Sequence, residues 1–93
     1  MQLMAVRVRI HGRVQGVGYR AWTVVTANRL ELSGWVRNRA DGTVEAIFKG
    51  EEPTIRQMLD ACREGPPAAR VERVEEEPAR GIVEAGFAAK PTV

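Results

Sequence analysis

The sequence lacks several features that whole classes of protein require. It holds one cysteine, Cys62, which excludes a disulfide framework within the chain and a metal site built from several cysteines. No apolar run approaches the ~20 residues that a membrane-spanning helix needs. The N-terminal stretch alternates apolar and basic side chains, unlike a secretory signal. We therefore expect a soluble, cytoplasmic protein with no membrane partner.

Strong charge and abundant aromatic residues are also missing. The net charge is +2 and aromatic residues make up 5% of the chain. Dedicated nucleic-acid-binding domains carry a strongly basic patch and, in many RNA binders, several base-stacking rings. The chain has 93 residues, which is the length of one domain. We expect a single monomeric domain over residues 1–93, with its core at about 4–88, that binds no nucleic acid.

What is present is an alternation of short strand and helix patterns. Apolar side chains alternate along residues 4–11, and two further strand patterns flank an Asp-Gly turn at residues 40–43, which predicts a hairpin. Residues 53–64 place apolar side chains at helical spacing, beginning at Pro53 and ending before Gly65. The predicted elements are strands at 4–11, 33–39, 44–49, 71–76 and 82–87 and helices at 20–31 and 53–64.

The segment 20–31 carries two conflicting signals. A run of β-branched residues at 23–26 disfavours a helix, whereas Ala21, Val24, Ala27 and Leu30 recur at a spacing of three, along one helical face. We predict a helix.

The resulting order, β-α-β-β-α-β, is typical of the ferredoxin-like α+β fold, with two helices on one face of an antiparallel sheet and an optional extra edge strand. Residues 90–93 are predicted to be a frayed end.

A glycine-rich loop between the first strand and the first helix is the strongest candidate for a binding site. Three glycines within residues 12–18 let backbone N–H groups converge, and a helix that follows adds unpaired N–H groups. Arg20 stands where its guanidinium could clamp two phosphate oxygens. No Gly-Lys-Ser/Thr follows, so the loop is not a nucleotide-binding P-loop. A glycine-rich turn with a surface arginine is the structural alternative.

Asn38 is the second candidate. Alternation along its strand places it on the same, helix-covered face as Val36, at the strand end nearest the glycine-rich loop. An asparagine side chain both donates and accepts hydrogen bonds, so it could hold a water molecule. From the pattern alone, an asparagine that starts the turn before Asp41 is the simpler interpretation.

Two long motifs resemble the signatures of the acylphosphatase family. GRVQGVGYR at residues 12–20 is similar to the first signature and GWVRNRADGTVE at 34–45 to the second, and the resemblance extends from about residue 6 to residue 87. Two positions depart from the usual pattern. Tyr19 replaces a commoner phenylalanine, and Glu31 replaces a usual glycine, which puts only the local helix ending in question.

The resemblance implies a ferredoxin-like fold and hydrolysis of the carboxyl–phosphate bond of small acyl phosphates. It gives Arg20 the role of binding phosphate and Asn38 that of positioning the attacking water. The phosphate cradle would be the backbone of the loop formed by Gln15, Gly16, Val17, Gly18 and Tyr19. A carboxylate leaves without a proton, so positioning and charge stabilisation suffice. We therefore expect no metal, no cofactor and no covalent intermediate.

Two other functions fit parts of the sequence. An RNA-binding domain of the same element order would use Arg7, Arg9, Trp35, Arg37 and Arg39 on the open face of the sheet. A phosphate- or carbamoyl-phosphate-binding module would use the same loop without turnover.

The other residues with reactive side chains are predicted to have structural roles. We expect His11 and the acidic stretch of Glu72, Glu75, Glu76 and Glu77 to be solvated, and Cys62 to be a buried structural thiol.

Overall fold

The fold, taken from a computed structural model, is described for residues 3–93. Residues 1 and 2 of the predicted domain, including Met1, lie outside this range. In chain order the elements are β1 (Leu3–Arg13), α1 (Tyr19–Arg29), β2 (Ser33–Asn38), β3 (Val44–Glu51), α2 (Glu52–Glu64), β4 (Arg70–Pro78) and β5 (Phe87–Ala89). The predicted α+β ferredoxin-like order is confirmed, and β5 is the extra edge strand.

The sheet has the strand order β4-β1-β3-β2-β5. Every neighbouring pair is antiparallel except β2 and β5, which run parallel, so the sheet is mixed rather than purely antiparallel. Alternate side chains of β1 and β3 point to the helix-covered face, where Val8, Ile10 and Phe48 are fully buried. Both helices contribute buried residues to this core.

Helix α1 forms despite its β-branched run because two residues of that run lie on its buried face. Thr23 and Thr26 are buried, and the Thr23 hydroxyl donates to the Tyr19 carbonyl at 2.8 Å, one turn earlier in the helix. Ala27 is buried as predicted, whereas Ala21, predicted to lie on the same face, is exposed. The helical interpretation is confirmed, with its buried face rotated toward the threonines.

Two predictions about the C-terminal part of the chain are wrong. Residues 82–86 form no strand; Ile82 is 98% exposed, and pairing begins only at Phe87, whose ring stacks on Phe48 with centroids 5.3 Å apart. Residues 90–93 are not frayed. The Lys90 amide donates to the Val36 carbonyl at 2.8 Å, and the Val93 amide donates to the Asn38 carbonyl at 3.2 Å.

A β-bulge turns the end of β1 toward the first loop. The pairing of β1 with β4 shifts register between His11 and Gly12. Gly12 has φ +123°, and a Cβ there would lie 2.2 Å from the Arg70 carbonyl oxygen, so only glycine fits. The bulge therefore directs residues 14–18 across the end of the sheet, where β2 also ends.

Candidate active site

The loop of residues 14–18, here called the cradle loop, presents unpaired backbone donors. None of the backbone N–H groups from residue 14 to residue 21 donates to a carbonyl among the described residues. Gly16 and Gly18 have φ of +72° and +81°, which lets successive N–H groups turn the same way. Helix α1 begins directly after Gly18, so the positive end of its dipole adds to these donors. The arrangement suits an anion.

Tyr19 fixes the start of α1 from the inside. Its ring is buried and its hydroxyl donates to the Cys62 carbonyl on α2 at 2.7 Å. Burial, with a smaller contribution from Cys62, raises the pKa of Tyr19 well above its ordinary value, so the hydroxyl stays protonated and keeps donating. Tyr19 thus anchors the helix N-terminus and leaves its neighbour, Arg20, at the surface.

Arg20 is an exposed arginine without an acidic partner. Among residues 3–93, no carboxylate lies within 4.0 Å of its guanidinium, although most other arginines of the sheet and of α2 form ion pairs. It lies in the first turn of α1, beside the unpaired N–H groups. Its charge and its planar donors are therefore free for an anionic ligand.

Asn38 ends β2 and faces the cradle loop. Its side-chain oxygen, Oδ1, is buried and accepts no hydrogen bond from any described residue. Asn38 lines a cleft of ≈ 320 Å³ together with Val14, Gly16, Gly18, Tyr19, Arg20, Ala21 and Ala89. Buried polar atoms are nearly always paired, so an unpaired acceptor beside free N–H donors marks a place where a ligand or water binds.

The cleft brings together most of the predicted site, but not all of it. Gly16, Gly18, Tyr19, Arg20 and Asn38 line it, as the motifs led us to expect. The Val17 side chain packs on the hydrophobic core, and its backbone N–H, the group predicted to belong to the cradle, donates to no carbonyl among the described residues.

Gln15 also lies outside the cleft lining, because its side chain points to the hairpin between β2 and β3. Its Nε2 donates to the Arg39 carbonyl at 2.8 Å and to the Thr43 carbonyl at 2.9 Å. The motif predicts a role only for the backbone of Gln15, not for this side-chain contact. No pattern in the sequence signals it, since the two acceptors are main-chain atoms.

The hairpin itself is closed by a tight polar turn. The Asp41 carboxylate accepts hydrogen bonds from the Thr43 hydroxyl at 2.6 Å and from the Thr43 amide at 3.0 Å. These two bonds lower the pKa of Asp41 below its usual range, with a smaller contribution from Arg9. Asp41 is therefore ionised near neutral pH and keeps the turn that follows Asn38 in place.

The open face of the sheet is organised around one buried carboxylate. Glu45 is 2% exposed and accepts hydrogen bonds from Arg37 at 2.8 Å and Arg39 at 2.9 Å. Arg9 and Arg7 approach it at 3.8 and 4.0 Å. Burial alone would raise the pKa of Glu45, but the hydrogen bonds and charges of Arg37 and Arg39 outweigh it and lower the pKa.

This open face gives limited support to the RNA-binding interpretation. The arginines that it required converge on Glu45, and a shallow depression of ≈ 350 Å³ beside them is also lined by Glu75, Glu76 and Glu77. Its one aromatic ring among the described residues is Trp35, which Arg37 and Lys90 cover at 4.5 and 5.1 Å from the ring centroid. The face is mixed in charge rather than basic.

The other reactive side chains lie away from the cleft. His11 pairs with Glu75 at 2.5 Å on the open face, and this hydrogen bond lowers the pKa of Glu75. Cys62 is buried, and burial raises the pKa of its thiol to about 12, so it is an inert core residue as predicted. Within residues 3–93, no three His, Cys, Asp or Glu side chains cluster as metal ligands, and no helix is long and apolar enough to cross a membrane.

The fold and the cleft together define a class of protein, namely a ferredoxin-like domain with an anion-suited cleft where its first helix begins. The family model for acylphosphatase matches residues 6–89. The chain is 57% identical over 86 residues to an acylphosphatase of Rhodospirillum rubrum, covering 92% of this chain and 94% of that protein. The chain therefore belongs to the acylphosphatase family of hydrolases that act on acyl phosphates.

Solved structures agree with this assignment. An acylphosphatase from Coxiella burnetii superposes with a TM-score of 0.90 at 33% identity, covering 95% of this chain and 93% of that one. Full-length HypF, in a phosphate- and nucleotide-bound form, matches with a TM-score of 0.88 at 26% identity. That match covers 98% of this chain but 12% of HypF, so the same fold also occurs as a small part of a much larger protein.

Proposed function

We propose that this chain hydrolyses the carboxyl–phosphate bond of small acyl phosphates without a metal ion, using Arg20 and Asn38. The observation that carries the proposal is the unpaired, buried Oδ1 of Asn38 in the same cleft as Arg20 and the free N–H groups of the cradle loop. An anion site and a water-holding acceptor thus face one small space, which is what attack of water on a bound phosphoryl group requires.

In this mechanism the chain contributes positioning and charge. The N–H groups of the cradle loop and the guanidinium of Arg20 bind the phosphoryl oxygens and stabilise the charge that they carry in the transition state. Oδ1 of Asn38 accepts a hydrogen bond from the attacking water and aims its oxygen at phosphorus. The new P–O bond forms in line with the bond that breaks, and the carboxylate leaves with the electron pair.

No side chain of the cleft needs to act as a general acid. The leaving group is a carboxylate of ordinary acidity, so it departs unprotonated. The proton of the attacking water passes to a phosphoryl oxygen of the substrate. The uncharged residues Val14, Ala21 and Ala89 complete the lining of the cleft. We expect a small acyl phosphate as the substrate.

The experiment that tests the proposal is hydrolysis of benzoyl phosphate in EDTA by the wild type and by Arg20→Ala and Asn38→Ala. We expect turnover to persist in EDTA and kcat to fall by about 100-fold or more in both folded variants, because each removes a group that acts in the transition state. Arg29→Ala is the matched control, since Arg29 is an exposed arginine at the other end of the same helix.

Each outcome bears on a separate part of the proposal. Loss of turnover in EDTA would overturn the metal-free mechanism. Near-normal kcat in either cleft variant would overturn that residue's role. A folded wild type that binds phosphate tightly without turnover would instead establish the binding-module alternative.

We also propose that the protein acts as a monomer in the cytoplasm and binds neither nucleic acid nor a membrane. The residues proposed to act, Arg20 and Asn38, come together within one chain. A lone, buried, free cysteine suits a reducing compartment. Light scattering of the purified protein checks the oligomeric state.

A further inference from the structure

The two halves of the cleft come from different elements and need a fixed separation. The cradle loop and Arg20 follow β1, whereas Asn38 is the last residue of β2, where the hairpin to β3 begins. If Arg20 holds the phosphoryl group and Asn38 aims the water, the distance between these elements sets the alignment of attack. A misplacement of about 1 Å can reduce a rate 100-fold.

One side chain joins the two halves directly. The Gln15 amide uses both of its protons, one on the Arg39 carbonyl at 2.8 Å and one on the Thr43 carbonyl at 2.9 Å. Within residues 3–93, no other hydrogen bond or ion pair connects the cradle loop to residues 38–43. The link is half-buried, so water replaces it poorly.

The two acceptors lie at the neck of the hairpin, where Arg39 follows Asn38 and Thr43 precedes the β3 residue that pairs with Asn38. The Arg39 amide donates to the Thr43 carbonyl at 2.9 Å, so Arg39 and Thr43 close the hairpin and Gln15 binds this closing pair. On the opposite face, the Arg39 guanidinium donates to Glu45. The neck is thus held from both sides of the sheet, and the Gln15 amide ties the cradle loop to it.

We propose that Gln15 is a positioning residue, whose side chain sets the distance between the phosphate-binding loop and the water-positioning Asn38. This inference rests on the function proposed above. The side chain of Gln15 does not line the cleft. It acts through the hairpin neck, so its loss impairs alignment of the water more than binding of the phosphate.

The test compares Gln15→Met, which keeps the length of the side chain but donates nothing, with Gln57→Met. Gln57 is an exposed glutamine on α2, and its substitution is the matched control. We expect Gln15→Met to lower kcat for benzoyl phosphate by about 10- to 100-fold and to change the inhibition constant of inorganic phosphate by less than about threefold. The control variant leaves both values unchanged.

Gln15→Glu supplies a readout that a general loss of stability would not produce. An ionised carboxylate at this position would face two carbonyl oxygens without a proton to donate, so its pKa rises. Once protonated, it donates one of the two lost bonds. We expect the ratio of its kcat to that of the wild type to rise as the pH falls from about 8 to about 5, whereas the ratio for Gln15→Met stays flat.

An NMR measurement tests the role of Gln15 independently of the proposed function. In ¹⁵N-labelled protein we expect the side-chain amide signal of Asn38 to shift in Gln15→Met, with the signals of α2 unmoved. If the wild type turns over nothing, the proposed function fails, and this signal alone decides the role of Gln15. A folded Gln15→Met variant with an unshifted Asn38 signal, or with kcat within about twofold of the wild type, overturns the proposal.

Discussion

At the scale of single residues, Glu31 stores backbone strain. Among the described residues it is the one non-glycine with a positive φ, at +59°. It follows the C-terminal end of α1, where its amide donates to the Asn28 carbonyl at 3.0 Å and the Leu32 amide donates to the Ala27 carbonyl at 2.9 Å. Helices commonly end in this left-handed conformation, and glycine is the residue that adopts it without cost.

Glu31→Gly is therefore expected to stabilise the protein. Relief of the left-handed strain outweighs the extra backbone entropy of glycine in the unfolded chain, giving a gain of about 0.5–1 kcal/mol. Urea denaturation of the wild type and the variant measures the change in the free energy of unfolding. Glu31→Ala keeps the strain and serves as the control, with an expected change close to zero. A loss of stability in Glu31→Gly would contradict the conclusion that the backbone of Glu31 is strained.

The site shows at this scale what a sequence can and cannot predict. Arg20 and Asn38 were predicted because each motif fixes the residue type and its place relative to a glycine loop or a strand end. The structure brings both to one cleft. The role of the Gln15 side chain was not predictable, because its partners are backbone carbonyls of residues far away in the chain, and any residue supplies such acceptors.

At the scale of elements, the close approach of β2 to β3 depends on a glycine. Gly34 has φ +138°, and a Cβ there would lie 1.8 Å from the Ile47 carbonyl oxygen and 3.3 Å from the Phe87 ring. Ile47 is on the neighbouring strand and Phe87 begins the edge strand β5. One missing methyl group thus lets three strands pack together.

Gly34→Ala is expected to destabilise the protein by about 3 kcal/mol or more, since the clash is with backbone and the alanine is also conformationally strained. Gly81→Ala isolates the conformational part. Gly81 also has a positive φ, at +101°, but open space around it, so its substitution should cost about 1 kcal/mol. Thermal or urea unfolding of both variants gives the comparison, and equal losses would mean that the strands do not approach so closely in solution.

The elements that sequence patterns predicted best are those whose periodicity matches their burial. Helix α2 buries Ile55, Met58, Leu59 and Cys62, as its spacing indicated. The strand predicted at residues 82–87 begins only at Phe87, because the apolar residues before it lie outside the core; Ile82 is almost fully exposed. The start of β5 depends on tertiary contacts. Phe87, its first residue, pairs with Gly34 of β2, and its carbonyl accepts a hydrogen bond from the Asn28 side chain at 3.2 Å.

At the scale of the whole molecule, Glu45 forms ion pairs with arginines from several parts of the sheet. Arginines of β1 and β2, and one from the turn that follows β2, surround this single carboxylate of β3. Its pKa is lowered in the folded protein, so the ionised form stabilises folding. This stabilisation is complete above the pKa of an unfolded glutamate and is lost as the pH falls through the lower pKa of the folded state.

We expect Glu45→Gln to lower the free energy of unfolding by about 1–3 kcal/mol near neutral pH, since two charged hydrogen bonds are weakened around a buried position. The wild type should lose this advantage below about pH 4.5, so the two stability curves converge in acid. Glu52→Gln is the control, because Glu52 is exposed and its pairing with Arg56 at 3.9 Å contributes little. Curves that stay parallel down to acid pH would contradict this role.

The strand order also governs how the chain can acquire its fold during synthesis. β1 is made first but lies inside the sheet, between β3 and β4, and β4 begins only at Arg70. At roughly 5–20 residues per second, the ribosome needs several seconds to supply that second neighbour. Until then one edge of β1 stays without its strand partner. Charged side chains beside an apolar strand disfavour aggregation, so we expect the basic residues Arg7 and Arg9, which alternate with the apolar residues of β1, to protect the nascent chain.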